Sequence, residues 1–224
     1  MNRQYKRSKD FSFFSLSRFS IGSIGLILAL LVLGGCSSGS VKPQIEANVE
    51  SAVIEIPVQA AVDFKIAIAH LNKDRLEKAE LILKKMISDY PQLAGPYANL
   101  GVVYTRQKKW GEAKKVLLEG GLKNPKNIKI LNQLGYVYRN KGDFKQAEKT
   151  YLSAIKKAPR ETAAYLNIGI LYDIYMGDFN QASRYYQKYQ TMLSKPDRKV
   201  AGWIVDINRR AGIKTQIASD GGGS

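Results

Sequence analysis

Four residue types return at one interval along the middle of this chain. Ala79, Ala113 and Ala147 lie 34 residues apart; so do Pro91, Pro125 and Pro159, Gly101, Gly135 and Gly169, and Tyr104, Tyr138 and Tyr172. A fixed interval of this size demands a stack of like units, each too small to bury its own apolar face. Chemistry assigns the elements. Each proline stops a helix, because it lacks an N–H and biases its predecessor away from helix. The small residues at Ala67, Gly101, Gly135 and Gly169 let a second helix approach the first, and Ala79, Ala113, Ala147 and Ala182 do the same from the opposite side. Large residues at the turn (Leu76, Trp110, Phe144, Phe179) are expected to close over the corner of each helix pair.

Within the interval the chain reads Tyr97-x₂-Leu100-Gly101-x₂-Tyr104, Leu131-x₂-Leu134-Gly135-x₂-Tyr138 and Tyr165-x₂-Ile168-Gly169-x₂-Tyr172. The second half supplies Ala113-x₃-Leu117, Ala147-x₃-Tyr151 and Ala182-x₃-Tyr186. This resembles the tetratricopeptide repeat, whose pattern is W-x₂-L-G-x₂-Y followed by A-x₃-F and P. The resemblance covers residues 60–196 and implies an all-α, right-handed superhelix of about four helix-turn-helix repeats, at 60–93, 94–127, 128–161 and 162–196. The terminal units diverge, as solenoid ends should. The first has Asp63 and His70 where aromatics are usual; the last carries one extra residue, assigned to its turn near Met176-Gly177. Beyond Pro196, Val200, Trp203, Ile204 and Ile207 fall on one helical face. Residues 197–212 are therefore read as a capping helix and 213–224 as a disordered tail.

The N-terminus has a different grammar. Arg3, Lys6, Arg7, Lys9 and Arg18 precede the apolar run Ile21–Leu33, which is followed by Gly34-Gly35-Cys36 and a polar stretch. That order marks residues 1–35 as a secretory signal peptide, and the run is short for a membrane span. Leu33-Gly34-Gly35-Cys36 resembles the lipobox of bacterial lipoproteins, which implies lipidation of Cys36 and membrane attachment by that lipid. Ser37 rather than Asp implies, by resemblance to enterobacterial lipoproteins, an outer-membrane anchor facing the periplasm. Residues 36–59 then read as a tether, with a short extended piece at Ala52–Ile56. Removing residues 1–35 takes five basic and one acidic side chain from the 35 and 19 of the whole chain, leaving a net charge of +12. An exported lipoprotein does not meet nucleic acid, so the excess points to solvated faces, anionic lipid or acidic protein partners.

Catalytic chemistry is not legible. The sequence holds one cysteine and one histidine, His70, and contains no G-x-S-x-G, H-E-x-x-H, P-loop or dinucleotide motif. The reading is a non-enzyme with no cofactor and no metal site.

In tetratricopeptide repeats the first helix of each unit lines a concave groove. The resemblance carries this role to Asn99 and Arg106, to Asn132, Gln133, Tyr136, Arg139 and Asn140, and to Asn167; Val102, Thr105 and Ile170 share the register. Asn99, Gln133 and Asn167 recur at 34 and suggest an amide ladder against a peptide backbone, with Arg106 and Arg139 as carboxylate acceptors. The lysine-and-asparagine pattern of carboxylate-clamp chaperone adaptors is not reproduced. The expected function is an envelope scaffold or assembly factor, binding envelope proteins through this groove. In kind it is similar to lipoproteins of type IV pilus and secretin assembly (the pilotin type), or to those of TonB-type systems. The alternative is an accessory subunit of a peptidoglycan-modifying or outer-membrane protein assembly complex. Oligomeric state leaves no trace in the sequence.

Overall fold

The computed structural model describes residues 56–213. The signal segment, Cys36, the tether up to residue 55 and the tail from residue 214 lie outside the described residues. Within them the chain is a solenoid of paired helices. The pairs are α1 (Val58–Asn72) with α2 (Leu76–Asp89), α3 (Ala94–Arg106) with α4 (Trp110–Lys123), and α5 (Ile128–Asn140) with α6 (Phe144–Lys157). The fourth unit pairs α7 (Thr162–Ile170) and its π-helical continuation Leu171–Met176 with α8 (Phe179–Thr191), and α9 (Arg198–Ala211) follows.

Close contact between the paired helices sets the core. A side chain of each second helix is seated over the small residue of the first: a Cβ added at Gly101 would lie 2.4 Å from Leu117 Cδ2, and one at Gly169 2.5 Å from Tyr186 Cδ1. Tyr151 and Tyr186 are fully buried there despite their hydroxyls. Gly120 plays an unpredicted part, since an added Cβ would meet Tyr97 Cβ at 2.5 Å within its own unit and Ile130 Cδ1 at 3.0 Å in the next. Polar contacts also join the units. Tyr97 and Tyr165 donate their hydroxyls to the carbonyls of Pro91 (3.1 Å) and Pro159 (3.0 Å) in the preceding unit, so each proline carries a bond as well as stopping its helix. Lys84 lies over the Tyr104 ring of the next unit and Lys114 over Tyr138, while Lys109 covers Tyr104 from within its own unit. Tyr172 instead donates to Glu148 of the unit before it.

Two of the large residues at the turns also reach into the following unit. Trp110 packs on Tyr136 (6.1 Å between centroids) and Phe144 on Tyr175 (5.4 Å), each in the following unit.

The turns repeat at nearly the same interval. Asp74, Lys108, Gly142 and Gly177 all have positive φ, between 53° and 81°, and only two are glycine. The extra residue of the fourth unit is not looped out near Met176-Gly177 as expected. The helix absorbs it by widening to a π-helical turn over Leu171–Met176, and Gly177 then closes the end in the left-handed conformation. A loop would have exposed backbone groups that the wider turn keeps bonded.

At the far end, Val200, Trp203 and Ile207 of α9 are buried, and Trp203 packs against Tyr186 at 5.6 Å. Asp197 caps α9 by accepting from the amides of Lys199 and Val200. Below it, Ser183 donates to Asn208 Oδ1 at 2.7 Å inside the junction. The helix thus covers the apolar end of the last repeat.

Two substitutions test this packing by thermal denaturation. Gly135→Ala places a Cβ 2.4 Å from Tyr151 Cε1 and is expected to cost about 1–3 kcal/mol, as overpacking does. Lys108→Gly relieves a φ of 59° and is expected to stabilise by about 0.5–1 kcal/mol, the strain relieved exceeding the entropy glycine adds to the unfolded chain.

Candidate functional site

Which helices line the inner side follows from their spacing. The first helices of successive units (α1 and α3, α3 and α5, α5 and α7) pack against one another as well as against their own partners, whereas the second helices make no contact of that extent with each other. In a stack of pairs, the row that is closer together is the concave one. The side chains along the inner faces of α3, α5 and α7 are therefore the candidate site.

The structure separates the predicted residues into two kinds. Some are already engaged. Asn99 is 1% exposed; its Nδ2 donates to the Gly95 carbonyl and its Oδ1 accepts from Lys129 Nζ at 2.5 Å. The first rung of the expected amide ladder is thereby spent inside the domain. Arg106 donates through Nη1 to the Leu71 carbonyl at 2.6 Å and lies 3.4 Å from Asp74, tying the second unit to the turn of the first. Burial lowers its pKa, and the Asp74 carboxylate opposes that shift. Asn140 is exposed and donates back to the Tyr136 carbonyl. Thr105 bonds the Val102 carbonyl, and Ile170 is buried in the core.

The others remain available. Gln133 and Asn167 are half-buried and make no side-chain hydrogen bond among the described residues. Asn132 is buried, and its Oδ1 has no donor. Arg139 is 2% exposed, and neither its Nε nor its Nη1 has an acceptor.

Arg139 sits among rings. Its guanidinium carbon lies 5.0 Å from the centroid of Tyr136 and 5.4 Å from that of Tyr175, within cation–π range of both. Trp110 backs the first ring and Phe144 the second. Tyr151 lies close enough for its hydroxyl to feel the Arg139 charge; that hydroxyl is buried, has no partner and is pushed upward in pKa by the burial. Sequence reasoning did not find Tyr175 or Tyr151. Tyr175 lies 36 residues from Arg139, in the segment widened by the extra residue, so no fixed interval points to it. Lys129 was also missed, although it occupies the second position of its unit, a groove position in tetratricopeptide repeats. Lys129 is exposed over the whole residue, yet its ammonium rests against Asn99, and lost hydration lowers its pKa.

Sequence models of the tetratricopeptide repeat match residues 61–92, 128–160 and 162–192. Residues 94–127 keep the interval but fall outside the matched segments. No curated protein is significantly similar in sequence. Solved structures agree in fold. PilF of Pseudomonas aeruginosa superposes with a TM-score of 0.62 at 19% identity, over 68% of this chain and 69% of its own. A thermophilic tetratricopeptide-repeat protein of Thermus thermophilus gives 0.60 at 22% identity, over 70% and 86%. MamA of Desulfovibrio magneticus RS-1, from its residue 41 to the end, gives 0.59 at 18%, over 71% and 89%. The described residues thus have the fold of a tetratricopeptide-repeat solenoid. At these identities the likeness concerns fold alone.

Arg106 offers a check on the engaged class. Arg106→Ala removes the guanidinium bond to the Leu71 carbonyl, which keeps the Asp74 amide as a donor at 3.2 Å, and is expected to cost about 0.5–1.5 kcal/mol in a denaturant melt. Asp74→Asn, which keeps a residue tolerant of positive φ and removes only an exposed ion pair, is expected to cost less than about 1 kcal/mol.

Proposed function

We propose that this chain, whose tetratricopeptide repeats are a protein-interaction fold, is a non-catalytic scaffold of the bacterial cell envelope. A lipid on Cys36 holds it at the outer membrane facing the periplasm, and the inner faces of α3, α5 and α7 bind an extended segment of an envelope protein. One observation carries the binding reading. Along that inner row, among the described residues, Gln133 and Asn167 make no side-chain hydrogen bond, and Asn132 Oδ1 and Arg139 Nε and Nη1 lack partners. Buried polar groups in folded proteins are nearly always paired, so a ligand that supplies the missing partners gains what the free chain forgoes. The family models that match the chain are those of the tetratricopeptide repeat.

The anchor reading rests on the order of basic residues, apolar run, Gly34-Gly35 and Cys36. Attachment of several acyl chains, each gaining about 0.8 kcal/mol per buried CH₂, would make the association nearly permanent. The machine is assigned by kind: assembly of type IV pili or secretins, or a TonB-type system.

Photoreactive residues at Gln133 and Asn167, with Lys115 on the second-helix row as control, test the groove in the source bacterium. One envelope protein captured at both inner positions and not at Lys115 is the expected result, and its identity names the machine. Adducts from Lys115 alone would reject the groove. In parallel, Cys36→Ala is expected to abolish incorporation of an alkyne-tagged palmitate and to release the protein from the membrane fraction; retention of both rejects the lipid anchor.

A further inference from the structure

Two consecutive units solve the same local problem in opposite ways. In the fourth unit the tyrosine seated over the small residue, Tyr186, donates its hydroxyl to Asp173 Oδ2 at 3.2 Å. Asp173 stands one helical turn beyond Gly169, and Arg210 of α9 lies 3.9 Å from its other oxygen. The donor, the acceptor and the countercharge are all internal. In the third unit Tyr151 is seated over Gly135 in the same manner, and the residue one turn on is Arg139. Here the tyrosine hydroxyl and the guanidinium are both donors, and among the described residues no acceptor reaches either the Tyr151 hydroxyl or Arg139 Nε and Nη1. What Asp173 provides in one unit is missing from the next: a carboxylate.

We infer that Arg139 is the anchor for an acidic side chain, Asp or Glu, of an extended peptide lying along the inner row. The inference rests on the groove reading above and names the chemistry of its ligand. A carboxylate suits the site in several ways. It accepts from the planar guanidinium in the geometry a fork of donors requires. It also neutralises a cation whose present neighbours are the faces of Tyr136 and Tyr175. Rings attract a cation but accept no conventional hydrogen bond from it, so the guanidinium is oriented without being satisfied. Repeat units continue on both sides of Arg139, so a bound chain passes it in mid-course, and a side chain rather than a chain end reaches it.

The test uses full-length protein and three pools of short fluorescein-labelled peptides with neutral, otherwise randomised residues. The first pool has one central Glu and an amidated end, the second Gln in its place, and the third a free C-terminal carboxylate as its sole acid. Fluorescence anisotropy is expected to show the Glu pool binding about tenfold tighter than the Gln pool. Arg139→Met is expected to erase that preference while holding or raising the melting temperature, since it replaces an unpaired buried charge with an apolar chain of similar volume. A residue needed only to support Tyr136 and Tyr175 would do the reverse, losing stability and leaving the preference intact. Arg139→Lys keeps the charge without the fork and is expected to lower the preference severalfold; it carries the test should the Met variant not fold. Equal affinity for the Glu and Gln pools, no binding of either, or binding of the third pool alone overturns the inference. None of these results touches crosslinking at Gln133, which needs no carboxylate, so the groove and its anchor can fail separately.

Discussion

Everything in this solenoid depends on how near the two helices of a unit can come. At Gly101, Gly135 and Gly169 the approach leaves no room for a single carbon, because Leu117, Tyr151 and Tyr186 already occupy the space. That contact fixes the angle and depth of each pair, and the pairs then stack with their first helices close together.

The same contact also delivers a polar group to the interior. A leucine, as in the second unit, fills the space and ends there. A tyrosine carries a hydroxyl past the glycine toward the residue one turn on, and that residue must answer it. Asp173 does so and is held in turn by the cap helix. The last unit is therefore closed by its own chain, in keeping with its place at an end. The third unit has neighbours on both sides and no such answer, so its polar residues point to something brought from outside.

Much of this was legible because one constraint is written several times. The glycines, the alanines facing them and the prolines between units each answer a local need that returns every 34 residues, so their positions and roles could be read directly. Contacts between different units were harder. Arg106 reaches a backbone carbonyl at Leu71, which any residue supplies, and so left no mark. Lys129 meets Asn99 across a junction, and neither residue type is required by the repeat. The extra residue was visible as a count but not as a conformation, since a bulged loop and a π-helical turn cost the sequence the same single insertion. Lys108 in a left-handed turn gave no signal as a residue type, and only its place one interval before Gly142 marks it.

Arg139 illustrates how the groove can be selective without being strongly attractive. A lysine there would keep its hydration by moving; the guanidinium, flat between two rings and stripped of water, has little freedom to do so. A ligand without an acid leaves that charge as it found it, unpaired and buried, and also takes away what water reached it. A ligand with an acid in the right place removes the penalty. Discrimination thus comes chiefly from what the wrong peptide fails to relieve, which is how buried polar sites reject close analogues by larger factors than apolar pockets do. The net positive charge of the chain draws acidic segments in but cannot tell one from another, because it acts over a Debye length of about 8–10 Å. Selection among them falls to the contact at Arg139, where position and geometry both count.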